Sequence, residues 1–422
     1  GKSYAEIAAE SRSSHKSQGF GSGANRNARV DFMLHKDGTP AEKDLFDGID
    51  LTWGRVKGSE QVAQLIDQAI RNYNVNYPAS SVPILVKIYE GLGKLDAKNK
   101  YVQQKKAEVE TLLQNCLGLW FETNPTDYAV AQGDRANVRV SVVKRGNYPL
   151  KLTRLQFVGA EKDTTLALDL KNNELSNFSF TPLIPKNTPI SQPYWLEKPI
   201  KDGAFQIDDQ SKLSTPENVP VLQTSFTFII DDQSFVFTKP WVYKSTDPVD
   251  GEVYRPYEVR PEATANVTEK VYVFADNQPK MVDVLVKAHR ANVKGKVTFE
   301  VPTGWRVEPM EIPFELVEKY QEKIVTIKVF PSAQQSEAKL KVITATDNGA
   351  NSYSLKTVEY KHIPTQTIFP SATTELVKLD IKNKAKNIGY IAGAGDEVPA
   401  ALRQMGCQVT LLDEGALSKN LS

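Results

Sequence analysis

Ala136 to Lys144 reads ANVRVSVVK, and this nonamer decides the fold of most of the chain. Val138, Val140 and Val142 fall on every second position, the period of a strand with one buried face, and branching at Cβ suits a pleated surface. Leu150 to Val158 continues in the same manner, and Val221 to Ile230 and Ser234 to Thr238 flank Asp231-Asp232-Gln233 as a hairpin. Further strand-like runs are Val271 to Phe274, Val282 to Ala288, Gly295 to Val301, Lys323 to Phe330, Lys339 to Thr344 and Ser352 to Tyr360. Short strands at this spacing, divided by turn residues, imply two β-sandwiches, the later one of immunoglobulin-like design. Phe180 to Pro199 is too rich in proline for a central strand and is expected to cross between sheets, with Tyr194 and Trp195 as anchors. Thr246 to Pro261 reads as a linker.

Upstream of the nonamer the period is helical. Val62, Leu65, Ile66, Ala69, Ile70 and Tyr73 follow Ser59-Glu60, an N-cap and a first-turn acid. Ile84, Leu85, Ile88, Tyr89 and Leu92 follow Ser81 and Pro83. A third stripe, beginning near Asp96, runs through Tyr101, Val102, Val109, Leu112, Leu113, Cys116, Leu117 and Trp120. Three such stripes form a helical packing unit, and the change from helix to strand is expected around Asn124-Pro125. Near the other end, Asn387 to Ala392, Asp396 to Met405 and Cys407 to Leu412 read as strand, helix and strand, the start of a βαβ layer. Gly393 and Gly395 hold the first two positions of a dinucleotide turn, and Asp413 lies where a ribose-binding acid would. Against that, Val398 stands at the third glycine position, and Asp396 and Glu397 put negative charge where a pyrophosphate needs positive potential.

The chain has 422 residues, 40% hydrophobic and 24% charged, enough for two to four domains. With 52 basic against 51 acidic residues there is no electrostatic case for nucleic acid as a partner. No run of eighteen apolar residues spans a membrane. Cys116 and Cys407 lie in different regions and read as small buried hydrophobes, not as a disulfide or a metal pair. The abrupt ends, Gly1-Lys2-Ser3 and Asn420-Leu421-Ser422, read as those of a fragment.

Chemistry concentrates in Glu10 to Gly23, ESRSSHKSQGFGSG. Tyr4 to Ala9 precedes it as a short helix and its glycines end regular structure, so His15 is expected at or just past a helix end, on backbone that can approach a ligand. The same residues also read as a polar surface loop. Asp31 to Leu34 is expected as a short strand, with His35 at its end, and Leu45 to Ile49 as a turn. A metal hydrolase needs two or three clustered ligands and a base, and His15, His35, His289 and His362 lack that spacing. A nucleophile elbow, Gly-x-Ser-x-Gly, is also missing.

Val301 to Pro309, VPTGWRVEP, resembles a signature of bacterial accessory sandwich domains in which the tryptophan is a packing residue. The run Gly1 to Gly21, GKSYAEIAAESRSSHKSQGFG, resembles the closing part of the catalytic domain of large PIG-L (LmbE-like) deacetylases of Bacteroidetes. Leu45 to Asp50 through Trp53, Thr188 to Trp195, and Ile388-Gly389-Tyr390 to Leu402 are similar to that family's long form, so the likeness runs in order over nearly the whole chain. The resemblance implies a multidomain α+β protein. Residues 1–58 would be the C-terminal edge of an α/β deacetylase domain and 59–124 a helical unit. Residues 125–245 and 246–363 would be β-sandwiches, and 364–422 the start of an α/β, amidotransferase-like domain.

It further implies part of a zinc-dependent hydrolase that removes acetyl groups from N-acetylated sugars of the N-acetylglucosamine type, in the periplasm or outside the cell. An N-acetylated saccharide or glycoconjugate would be its partner. The family holds zinc on Ala-His-Pro-Asp-Asp-Glu and His-x-x-His motifs, and neither occurs here. Zinc would therefore belong to the intact protein, with no ligand in this sequence, and the segment alone would be inactive. His15 and Arg12 would polarise the amide carbonyl or hold the leaving amine, while Ser17 and Gln18 position sugar hydroxyls. The competing expectation is a non-catalytic carbohydrate-binding or adhesion protein whose sandwiches present Tyr194, Trp195, Trp241 or Trp305.

Overall fold

A computed structural model describes residues 1–418. Helix α1 spans Tyr4–Ser13, and residues 19–51 form turns and irregular chain. Asp31 to Leu34 is therefore not a strand. Its apolar side chains are exposed, Phe32 at 91%, and an alternating run with no neighbouring strand leaves its backbone to water. Residues 1–58 form no sheet, so the α/β architecture expected of them is absent from the described residues.

Helices α2 (Glu60–Arg71), α3 (Val82–Gly93) and α4 (Lys100–Leu117) follow. Asn99 caps α4 by accepting from the Tyr101 and Val102 amides. Ser59 and Ser81 stand at the N-caps of α2 and α3, but neither side chain caps, and the Ser59 hydroxyl donates instead to the Trp53 carbonyl at 2.6 Å. Helix α4 ends at Gly118 (φ 54°), a left-handed position that glycine adopts without a Cβ penalty. Strand β1, Leu119–Pro125, starts at the next residue. The change to strand thus falls at Gly118 and not around Asn124-Pro125, and Trp120 belongs to a strand. Leu117, Leu119 and Phe121 satisfy the end of a helical stripe and the start of an alternation together, so only the glycine marks the boundary.

The first sandwich adds β2 (Ala129–Ala131), β3 (Val138–Lys144), β4 (Lys151–Val158), β5 (Asp163–Asp169), β6 (Ser176–Phe180), β7 (Gln223–Ile230) and β8 (Gln233–Pro240). One sheet has the order β1-β3-β6 and the other β5-β4-β7-β8. The expected hairpin is β7–β8, with Ile230 opposite Gln233 and positive φ at Asp231 (47°) and Asp232 (62°), as a tight two-residue turn requires. Phe121 meets Phe226 at 4.7 Å between ring centroids, across the two sheets. The same core takes in Val62, Leu85, Leu92 and Leu113 of the helices, and Tyr89 of α3 meets Phe235 at 4.8 Å. Helices and first sandwich are one packed body, because each supplies the apolar face that the other must cover.

Thr246 to Pro261, expected as a linker, is folded. It contributes to the hairpin β9 (Val242–Asp247) and β10 (Gly251–Pro256) and to β11 (Glu258–Arg260), which pairs in parallel with β2. The second sandwich holds β12 (Ala263–Val267), β13 (Val271–Phe274), β14 (Lys280–Ala288), β15 (Val293–Glu300), β16 (Arg306–Glu308), β17 (Glu311–Leu316), β18 (Glu322–Phe330), β19 (Ser336–Thr346) and β20 (Gly349–Asn351). Of the expected strand Ser352 to Tyr360, only β21 (Lys356–Tyr360) forms, in a hairpin with β22 (Ile363–Ile368). The last sandwich strand is β23 (Thr373–Lys378). One sheet runs β12-β14-β18-β16 and the other β13-β23-β19-β15-β17, with β20 on β19. Since β23 lies between β13 and β19, the sandwich extends to Lys378 and the boundary expected after residue 363 moves with it.

Beyond it, β24 (Asn387–Tyr390), α5 (Val398–Gln404) and β25 (Gln408–Leu411) make the expected βαβ start, the strands parallel, and α6 (Glu414–Leu417) follows. The molecule is a multidomain, mainly β protein with helices at its flanks. No helix among the described residues is long and apolar enough to cross a membrane. The tail of the expected 364–422 unit, residues 419–422, lies outside the described residues.

Candidate functional site

Ser3 and Glu6 start α1 with a capping box: the Glu6 amide donates to the Ser3 hydroxyl at 3.3 Å, and the Ser3 amide to the Glu6 carboxylate at 3.0 Å. The helix ends at Ser13, and Lys16–Gln18 form one 3-10 turn closed by Gly19 in the left-handed region (φ 69°). His15 therefore sits just past a helix end, as its sequence context requires. Its Nδ1 lies 3.1 Å from the Ser11 carbonyl oxygen. A carbonyl only accepts, so in the neutral ring Nδ1 carries the proton and Nε2 presents a lone pair. Ser13 and Ser22 tie the loop across its base: the Ser22 amide donates to the Ser13 hydroxyl at 3.1 Å, and that hydroxyl to the Ser22 carbonyl at 3.2 Å.

Arg12, in the last turn of α1, and His15, Ser17 and Gln18, in the turn that follows it, are all exposed. No hydrogen bond joins any two of these four side chains among the described residues, and Arg12 lies over the Phe20 ring at 5.9 Å. The loop brings the four near one another in the chain without assembling them into a closed constellation. Among the described residues, no three His, Cys, Asp or Glu side chains gather to hold a metal. His35 is exposed in irregular chain, not at a strand end, and His362 is exposed in the β21–β22 turn.

The aromatic residues expected to present sugar platforms are mostly core. Trp241 is 1% exposed and donates from Nε1 to the Thr224 hydroxyl at 2.8 Å. Trp305 is buried edge-on against Phe274 at 5.2 Å, and Tyr194 is buried with its hydroxyl donating to the Thr215 carbonyl at 3.1 Å. Trp195, stacked edge-on against Tyr194 at 5.0 Å, stays half-buried. Tyr194 and Trp195 thus anchor the proline-rich crossing. At the C-terminal turn, the Asp396 carboxylate accepts from the Tyr390 hydroxyl, the Gly393 amide (3.3 Å) and the Val398 amide (2.9 Å). It occupies the amides a pyrophosphate would need, as its charge foreshadows.

The polar cluster that sequence reasoning missed lies between the sandwiches. Glu258 accepts two bonds from Arg260 (2.9 and 2.6 Å), one from Arg255 (2.8 Å) and one from Thr367 (2.9 Å). Glu262 accepts from Arg290, Asn348 and, at 2.6 Å, Thr346. A signal existed in the dense alternation of Arg255, Glu258, Arg260 and Glu262 inside a segment expected to be solvated.

No family profile matches the chain, nor does any curated protein. Solved structures align weakly. WR4, a C. elegans MSP family member, matches 28% of this chain and 98% of its own at 9% identity, with a TM-score of 0.18. Native E. coli alpha-2-macroglobulin matches 62% of this chain and 16% of its own at 8% identity, TM-score 0.20. A protein of unknown function from Porphyromonas gingivalis W83 matches 62% and 98% at 9% identity, TM-score 0.16. Likenesses at this level carry no argument about what the chain does.

Proposed function

We propose that this chain is the accessory and C-terminal portion of a zinc-dependent hydrolase of the PIG-L (LmbE-like) kind, acting outside the cytoplasm on the N-acetyl group of an N-acetylated saccharide. Zinc and its ligands come from residues outside this sequence. His15 Nε2 holds the leaving amine by accepting a hydrogen bond from its N–H, Arg12 polarises the amide carbonyl, and Ser17 and Gln18 orient sugar hydroxyls.

The observation that supports this reading is the state of residues 1–51. A capped helix and a tied loop offer an unoccupied imidazole lone pair, while Tyr4, Phe32, Met33, Leu34, Leu45, Phe46, Ile49 and Leu51 are all exposed. Large apolar side chains left so little buried fit the edge of a larger domain that covers them. The sugar-binding alternative loses support because Trp241, Trp305 and Tyr194 are buried.

His15→Ala, made in the protein with its upstream region attached, is expected to lower kcat/KM for deacetylation of an N-acetylglucosamine substrate by about 100-fold. An unchanged rate and affinity would remove His15 from the site. Glycan binding by residues 59–378 alone, the helices with both sandwiches, would favour the adhesion reading instead.

A further inference from the structure

The two sandwiches meet over a continuous seam. Strand β11 pairs with β2, the Glu258 amide donates to the Tyr128 carbonyl (3.1 Å), and the Gln132 amide to the Arg260 carbonyl (2.9 Å). The loop 317–321 reaches back across the seam: Lys319 Nζ contacts Asp127 and the Ala129 carbonyl, each at 2.6 Å, and the Tyr320 hydroxyl donates to Asp127 at 2.9 Å. Tyr320 stacks on Tyr128 at 5.1 Å with 5° between ring planes, and Arg255 and Arg260 lie over Tyr128 at 4.1 and 5.1 Å.

His289 lies beneath this seam, 0% exposed. Its Nε2 is 3.0 Å from the Thr264 hydroxyl, and its Nδ1 is buried with no hydrogen-bond partner among the described residues. The cations that act on it are Arg260 of β11, Lys287 of β14 and Lys319 of the reaching loop, and Arg290 is next but one to Lys287's neighbour Ala288. Every nearby carboxylate is already engaged: Glu258 by Arg255 and Arg260, Glu262 by Arg290, Asp127 by Lys319, and Glu322 by Lys287. From the flanking turns, Glu318 and Asp347 are exposed. A proton added to His289 would meet cations and no acceptor at Nδ1 among the described residues, a combination that burial makes costly.

We propose that this seam is an acid-released lock, closed while the His289 ring is neutral and opened at residues 126–132, 258–262 and 317–321 when the ring gains a proton. Burial, and then the three cations, hold the ring's pKa well below its usual 6.5, which agrees with this geometry. The ring's proton is taken up only by the open form, so acid shifts the population towards it.

Hydrogen exchange of the full chain, corrected for intrinsic rates, tests this from pH 7 to pH 4.5. Protection of the three seam segments is expected to fall little above pH 6.5 and by about tenfold per pH unit below about pH 6, the limiting slope of one-proton linkage, while 152–157 and 282–286 keep theirs. In His289→Gln the seam stays protected over the same range. The same pH profile in wild type and variant, or loss of protection in all segments together, overturns the proposal. A second readout needs no variant: the His289 imidazole, followed by NMR, should titrate with the loss of seam protection. Titration near pH 6.5 with the seam still protected also overturns it.

Discussion

Glu258 shows how much one side chain can hold. Arg260 is 2% exposed at its side chain, and its charge is balanced through two bonds to Glu258. Glu258→Gln leaves that guanidinium buried with half its partner, which should cost about 3–5 kcal/mol, the usual penalty for breaking a buried pair. Denaturant unfolding measures it, and a change under about 1 kcal/mol would mean that water reaches Arg260. Gly295 is constrained by space alone: a Cβ there would lie 2.2 Å from the Ala345 carbonyl oxygen on β19. Gly295→Ala is expected to force β15 and β19 apart and lower stability by about 1–3 kcal/mol, read from the same transition. The crowding at Gly295 was not legible in the sequence, and Glu258 showed there only as one of several alternating charges. Glu258 sits among prolines in a stretch with the composition of a linker, and the crowding at Gly295 comes from a strand some fifty positions away.

At the scale of elements, α3 and α4 are joined where the Tyr89 hydroxyl donates to Glu110 at 2.8 Å. Desolvation, reinforced by Glu110, pushes the Tyr89 pKa from 10.0 up to about 12. The folded form then keeps this proton at pH values where the unfolded chain has lost it. The resulting stability is present below pH 10 and is lost as pH rises from 10 towards about 12. Tyr89→Phe should flatten that decline in thermal unfolding, and an unaltered slope would exclude the pair as its source. The C-terminal βαβ unit is held on the second sandwich at Gln404: its side-chain amide accepts from the Val273 amide (2.8 Å) and donates to the Val271 carbonyl (3.1 Å), and its own carbonyl accepts from Lys280 Nζ (2.8 Å). It acts as a piece of neighbouring strand for the open edge of β13. Gln404→Ala should make residues 380–418 more susceptible to limited proteolysis while the sandwich stays intact. The helices and most strands were legible from their periods, since burial of one face demands a repeat. The end of α4 was not, because helical and alternating patterns overlap there and Gly118 alone breaks the tie.

For the whole molecule, the body that unfolds together should be the helices and sandwiches. Removing residues 1–50 is expected to shift the main melting transition by less than about 2 °C, since under 1 kcal/mol at this size moves it no further. A larger drop in calorimetry would show that this segment supports the core.

The sequence by itself determined the helical unit, the β-rich body, the hairpin at Asp231-Asp232, the βαβ start and the place of His15 past a helix end. Each follows from local periodicity, turn chemistry or glycine, which neighbours along the chain decide. Only the tertiary structure decided that helices and first sandwich share one core, that the supposed linker is a strand between two domains, and that Trp241 and Trp305 lie inside. It also placed His289 under an ionic seam. These depend on which surfaces remote segments bury together, and burial between segments far apart in the chain leaves no period to read.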